Sequence, residues 1–297
     1  MVKDFKDIIN NVKDKDLKTV VVVKAEDKEI LLAVTEAKDI AKFILVGDEY
    51  KIKSIAEEHK YDISSVTIVN HSNEKQALLE SLKLVRNGSA HIVMKGKLST
   101  GNLLKGILDK ETGLRGDRIL SHCLVCKISK YDRFMFVTDG GMNITPDIKM
   151  KIDILNNAIE LANNFGIEKP NVAVLSFVET INFDMGETID GAVLSKMAQR
   201  GQIKNCVIDG PLAMDLALSS ESAEIKGVSS PVAGKTDIFL VPNISAGNML
   251  GKTLMYTAEG EFGGIILGAK APVVMLSRSD PASIRLNSIA LGVMMCK

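Results

Sequence analysis

The run "KTVVVVKA", in which Val20 to Val23 stand side by side, limits the possible folds more than any other stretch. A strand this short and this uniformly apolar has no face left for water. It must be covered on both sides, which is the setting of a parallel sheet flanked by helices. The flanking segments agree. Before it, "FKDIINNVKDKDL" spaces Phe5, Ile8, Ile9 and Val12 at helical intervals. After it come "KEILLAVTEAKDIA" (helix), "KFILVGD" (strand), "YKIKSIAEEHK" (helix), "VTIVN" (strand), "EKQALLESLKLVRNG" (helix) and "AHIVMKG" (strand). Buried strands alternating with amphipathic helices predict a doubly wound α/β architecture.

The alternation breaks once. "RILSHCLVCKI" and "RFMFVTD", joined by the turn-like "SKYD", predict an antiparallel pair, after which α/β alternation resumes to the C-terminus. Gly140-Gly141 and Pro146 punctuate "TDGGMNITPD", and a domain break is expected there, near residue 140. With 297 residues, 46% of them hydrophobic, the chain has material for two cores.

The 37 basic and 37 acidic residues cancel and the lysines are scattered, which argues against nucleic acid as a main partner. Any anion site must therefore be local. No apolar run approaches a membrane span, and "MVKDFKDIINNVKDKDLK" is too charged for a signal peptide, so a cytoplasmic protein is expected. Cys123, Cys126, Cys206 and Cys296 form no disulfide framework. The C-x-x-C in "HCLVCK" sits in a predicted strand without a second ligand pair, which favours inert thiols over zinc or redox chemistry.

In open α/β sheets, ligands bind beyond the carboxyl ends of strands. Polar groups gather at those places: Lys95, Gly96, Lys97, Ser99 and Thr100 after "HIVM"; Thr138 to Asn143 after "FMFV"; Asp209 to Pro211 after "NCVI"; Asn243 to Asn248 after "IFLVP"; and Ser277, Arg278 and Asp280 after "PVVML". Turns and helix caps call for the same residue types, so each cluster alone has a structural explanation. Clusters carrying a cation beside hydroxyls and a helix start point to anion binding, and Lys95 and Arg278 are the pointed cases.

One motif competes. "AGNMLGKT", Ala246 to Thr253, is one substitution from the phosphate loop G-x-x-x-x-G-K-[ST], which raises a nucleotide-binding alternative. That loop needs its first glycine at the strand exit, whereas here "PNIS" already supplies the exit. The helix is expected to begin near Gly247 and Asn248, with those two facing an anion and Gly251, Lys252 and Thr253 within the helix. The four histidines fit no metalloprotease or nucleophile-elbow pattern, no metal-ligand cluster shows, and no G-x-G-x-x-G follows a strand.

"MKGKLSTGNLLKGILDKETGLR", "FVTDGGMNITPD", "ALSKMAQRGQIKNCVIDGPLAMD", "SSPVAGKTDIFLVPNISAGNMLGK" and "GAKAPVVMLSRSD" resemble the phosphate acetyl/butyryltransferase family, and more closely its butyryltransferase branch. The resemblance covers nearly the whole chain from "TVVVVKAED" onward. It implies reversible exchange of a short acyl group, butyryl by branch or acetyl and propionyl as the alternative, between coenzyme A and inorganic phosphate. No metal or redox cofactor is implied. Further implications are two α/β domains flanking a cleft, similar to isocitrate and isopropylmalate dehydrogenases, with residues 1–140 plus 275–297 as the first domain and 141–274 as the second, which would mediate a homodimer or higher oligomer. A metal-dependent dehydrogenase chemistry on that fold would need clustered aspartates and a Lys-Tyr pair, and none of Tyr50, Tyr61, Tyr131 and Tyr256 has that setting.

By matching motif, the resemblance implies that Ser277 donates to the thioester carbonyl and that Arg278 binds phosphate and steadies the leaving sulfur. Lys95, Ser99 and Thr100 would line the phosphate side, and Asn143 and Asn248 would face the cleft. Lys105 and Arg115 sit where relatives carry phosphate- or CoA-directed arginines. The aspartate that serves as base in the acetyltransferase branch is replaced by Ser283, so either Asp280 serves or no side-chain base is required at that point, with capping of the following helix as the other role for Asp280.

Overall fold

A computed structural model describes residues 2–13, 16–275 and 280–296. In chain order the elements are α1 (Phe5–Lys13), β1 (Thr19–Val23), α2 (Lys28–Glu36), β2 (Lys42–Gly47), α3 (Glu49–His59), β3 (Thr67–Asn70), α4 (Glu74–Arg86), β4 (Ile92–Lys95) and α5 (Thr100–Ile107). There follow β5 (Ser121–Ile128), β6 (Met135–Thr138), α6 (Ile148–Asn164), β7 (Asn171–Leu175), α7 (Gly186–Gln199), β8 (Val207–Leu212), α8 (Met214–Leu218), α9 (Ser220–Ile225), β9 (Ile238–Leu240), α10 (Ile244–Thr257), β10 (Gly260–Leu267), β11 (Val273–Val274) and α11 (Ala282–Met294). Among the described residues no helix is long and apolar enough to cross a membrane.

These elements form two compact units. The first comprises Phe5–Asp117 with Gly263–Lys297, and the second Met1–Asp4 with Arg118–Phe262. Residues 1–4, 118–140 and 263–274 thus group differently from a division at 140 and 275. Strand pairing is the reason: β6 pairs antiparallel with β5 and parallel with β9, which draws the hairpin into the second unit. β11 pairs with β4, and β10 with β11 through Ile266 and Val273, so these strands join the first unit.

The first unit orders its strands β3-β2-β1-β4-β11-β10, with β3, β2, β1, β4 and β11 parallel. Val20 to Val23 are fully buried at its centre, as their uniform apolarity requires. The chain runs outward from β1 to β2 and β3, then returns to the other side of β1 with β4. The switch point of the sheet therefore lies between β1 and β4, where a crevice opens beyond the strand ends. Backbones meet closely there. Gly96 N donates to Val23 O at 2.9 Å and Lys97 N to Lys24 O at 2.6 Å, and a Cβ at Gly96 would come within 2.2 Å of Lys24 O.

The second unit orders its strands β5-β6-β9-β7-β8, parallel except for β5. β8 runs through Asp209, Gly210 and Pro211, which the sequence suggests as residues after a strand. It lies at the end of the order, so a missing N–H at Pro211 is tolerated. "PLAMDLALSSESAEIKG", readable as one helix, is two short ones. Ser219 takes an extended conformation and its side chain caps α9 by accepting from Ser222 N.

Helix α10 packs by its glycines. A Cβ at Gly247 would stand 2.6 Å from Gly140 Cα and 2.8 Å from Val241 Cγ2, and one at Gly251 would stand 3.0 Å from Leu124 Cδ2. Gly247→Ala is expected to destabilise the protein by about 1–3 kcal/mol through overpacking. Gly101→Ala, whose Cβ would meet nothing within 4 Å, should be neutral or stabilise by up to about 1 kcal/mol. Urea unfolding of the two variants checks the contrast.

Candidate active site

The crevice at the β1/β4 switch point is a cavity of about 320 Å³ within the first unit, lined by Asp27, Glu29, Ile30, Glu74, Lys95 to Ser99, and Arg285. Lys95 is the last residue of β4 and is half-buried, with its Nζ 3.4 Å from Gly96 O. The Gly96 crossing turns the chain so that Lys97 and Ser99 follow into the same wall. Ser99 is the N-cap of α5, its Oγ accepting from Asn102 N at 3.1 Å. The amides of Thr100 and Gly101 then stand in the first turn of α5, where no intrahelical acceptor exists for them. Cations, hydroxyls and a helix start thus converge as anion binding requires.

Three carboxylates share the cavity. Asp27 caps α2 by accepting from Glu29 N and Ile30 N, Glu74 accepts from Asn102 Nδ2 at 2.7 Å, and Glu29 pairs with Arg285 Nη1 at 2.8 Å. Lys24, held at φ 57° and buried, donates to Ser72 O at 2.7 Å and pairs with Glu26. Lys24 is therefore a brace of the crevice rather than a ligand group.

The other expected residues divide. Thr100 is exposed at the start of α5, beside Ser99. Lys105 lies on the same helix but lines a separate groove of about 440 Å³ between α4 and α5, with Leu78, Leu79 and Asp109. Arg115 is exposed and bridges to Ala269 by its backbone, and it does not line the cavity that holds Lys95. Asp280 is half-buried ahead of α11, directly before the N-cap position Pro281. Ser277 and Arg278 lie outside the described residues.

In the second unit the organising group is Asp139, at the carboxyl end of β6. Its buried carboxylate accepts from His122 N at 3.2 Å, Gly141 N and Met142 N at 3.0 Å, Asn143 N at 3.1 Å and Asn143 Nδ2 at 2.5 Å. Asn143 Nδ2 also donates to Leu120 O at 2.8 Å, so its amide hydrogens are committed within the loop. Of that side chain only the oxygen is left to offer a ligand.

Asn243 caps α10, its side chain accepting from Ala246 N at 3.0 Å. The helix therefore opens at Ile244, three residues earlier than the sequence pattern suggests. Gly247 N donates to Asn243 O at 3.1 Å and is unavailable to an anion, which corrects the expectation that the Gly247 amide faces a ligand. Asn248 is exposed on the helix. Gly251, Lys252 and Thr253 are helical residues in the second and third turns, so no phosphate loop can form around them.

The sequence pattern includes Asp139 only as one member of the polar cluster after β6, and does not single out Arg285. A carboxylate followed by two glycines after a buried strand is one signal for the first. For the second, the signal is a single charge in the otherwise uncharged "ASIRLNSIALGVM" of α11. The thiols match the inert reading: burial pushes Cys206 and Cys296 up to about 11, and Cys123 and Cys126 well above the usual thiol range.

Comparison with known proteins extends over the whole chain. The family model described as "Phosphate acetyl/butaryl transferase" matches residues 4–82 and 73–293. The phosphate butyryltransferase of Clostridium acetobutylicum is 49% identical over 296 residues, 99% of this chain and 98% of that protein. That of Clostridium beijerinckii is 43% identical with the same coverage. Among solved structures, a branched-chain phosphotransacylase from Enterococcus faecalis superposes with a TM-score of 0.83 at 31% identity, covering 94% of this chain and 99% of that one.

Asp139→Asn replaces a charged acceptor by an amide whose hydrogens face N–H donors, and should cost about 2–3 kcal/mol in urea unfolding. At pH 8 a thiol titrating near 11 is about one part in a thousand thiolate. A thiol-reactive chromogenic disulfide should accordingly modify the native protein at under about a tenth of the rate seen after unfolding in guanidinium.

Proposed function

The chain belongs to the phosphate acetyl/butaryl transferase family, and from that premise we propose that it is a phosphate butyryltransferase, converting butyryl-CoA and inorganic phosphate to butyryl phosphate and free coenzyme A, reversibly. The observation that carries the butyryl assignment is the near full-length likeness, across both units, to a phosphate butyryltransferase. The likeness to a branched-chain phosphotransacylase supports a pocket for acyl chains longer than acetyl.

In this reading a phosphate oxygen attacks the thioester carbonyl, a tetrahedral oxyanion forms, and the C–S bond breaks to release the thiolate. The proton carried by the phosphate, or one from water, neutralises the products. Such a reaction is served by holding two substrates in line and by donors aimed at the developing oxyanion, each worth about 3 kcal/mol. Ser277 is proposed as the donor to the oxyanion, and Arg278 as the cation on phosphate and leaving sulfur. Lys95, Ser99 and Thr100 are the proposed phosphate wall, a role supported by Lys95 and Ser99 lining the β1/β4 crevice and by Thr100 following Ser99 as the first residue of α5. Asn143 and Asn248 are proposed as further phosphate- or CoA-binding groups, Asn143 through its carbonyl oxygen, and Lys105 and Arg115 as outlying contacts to coenzyme A. Asp280 is proposed to take the thiol proton when the reaction runs toward acyl-CoA. Coenzyme A enters as a substrate.

A cytoplasmic homo-oligomer is also proposed. The second unit leaves large apolar side chains in water, among them Phe177 at 82% and Phe183 at 86% exposure, with Ile225, Met249 and Tyr256. Exposure on this scale is characteristic of a face that a partner covers.

Phosphate-dependent release of free thiol tests the reaction across acetyl-, propionyl-, butyryl- and branched acyl-CoA. Butyryl-CoA should give the highest kcat/KM. Arg278→Ala should lower the rate by about 100-fold or more, while Lys252→Ala leaves it within about twofold of wild type. Thiol release no faster than in a heat-killed control with every acyl-CoA would refute the assignment.

A further inference from the structure

Arg285 is the anomaly of the first unit. It is 5% exposed on a helix with no other charged residue, yet it forms part of the wall of the β1/β4 cavity. Only its Nη1 is engaged by a carboxylate, Glu29 at 2.8 Å, and its buried Nε has no acceptor among the described residues. A guanidinium in that state is costly to bury unless a further acceptor completes it. The same cavity presents Lys97, which is exposed and whose backbone is fixed by the bond to Lys24 O, together with Ser99, the N-cap of α5. Its carboxylates are not equivalent. Asp27 is committed to capping α2 and Glu74 to Asn102, but the Glu29 side chain is 38% exposed and can turn outward.

We infer that this cavity is a phosphate-group subsite in which Arg285 and Lys97 are the binding cations and Glu29 is an internal stand-in that holds the guanidinium until the ligand displaces it. The six charged groups of the cavity sum to zero with Glu29 in place. Once Glu29 turns out to water, one positive charge is left in excess for an incoming dianion. The planar guanidinium suits the exchange, because it offers carboxylate and phosphate the same paired donors. The inference rests on the acyltransferase reading only for the origin of the ligand, which is inorganic phosphate or a phosphate ester of coenzyme A.

Titration calorimetry of the full chain with inorganic phosphate, and separately with adenosine 3′,5′-bisphosphate, tests it without using acyl-CoA. The wild type should bind one of the two. Lys97→Met, at an exposed position that should not disturb folding, should weaken that ligand by about tenfold or more. Glu29→Gln should tighten it several-fold, which a purely structural helix staple would not do. Arg285→Lys should weaken it while keeping the charge that pairs with Glu29. If the pattern appears with inorganic phosphate, the subsite serves the acceptor; if with the bisphosphate, it serves coenzyme A. Neither ligand binding to the wild type, or Glu29→Gln and Lys97→Met leaving both affinities within twofold, would overturn the inference. Because these titrations involve no turnover, a failed thiol-release assay would leave their result standing.

Discussion

The backbone crossing at Gly96 is the contact on which the first unit depends. Its N–H binds the carbonyl of Val23 and the next N–H binds that of Lys24, at a separation no side chain could share. The crossing fixes how β4 leaves the sheet beside β1. Everything that follows in the chain, from Lys97 through the Ser99 cap to the first turn of α5, is aimed by it. Lys24, whose carbonyl takes part in the crossing, pairs by its side chain with Glu26 and with Ser72 O. A crevice at a topological switch point is a general property of doubly wound sheets. The particular crevice here owes two of its three cations, Lys95 and Lys97, to the residues on either side of one glycine.

The second unit solves a similar problem with a carboxylate. Asp139 gathers five N–H donors from His122 and from Gly141 to Asn143, so a loop that would otherwise present orphan donors is closed on itself. Gly140 then lies flat against Gly247 of α10. The two glycines let the helix reach the loop, and the same close packing explains why "AGNMLGKT" is not a nucleotide site. Its first small residues are consumed in helix packing and its lysine is already past the helix mouth.

Much of this is legible in the sequence, for physical reasons that can be named. Val20 to Val23 can only be a two-sided buried strand, and the hydrophobic spacing of the intervening helices leaves little choice of class. The antiparallel β5 and β6 are visible as two apolar runs around a turn. Pairing partners are not, because strand order depends on contacts distant in sequence, and so the grouping of residues 118–140 and 263–274 cannot be read locally. Lys95, Ser99 and Thr100 are readable as a site because strand exit, cation and cap follow one another in the chain. Arg285 is hidden because its place in the same cavity comes from α11, nearly two hundred residues away. The start of α10 is misplaced by sequence reasoning because Asn243, the true cap, has the composition of a strand exit.

Acyl exchange between coenzyme A and phosphate is the central claim, and its product is directly observable. Phosphorus NMR of the enzyme with butyryl-CoA and inorganic phosphate should show a new acyl phosphate resonance that grows as the phosphate signal falls, and that disappears when free coenzyme A is added in excess. Free thiol accumulating with no acyl phosphate resonance and an undiminished inorganic phosphate signal would mean hydrolysis rather than transfer, and would contradict the account.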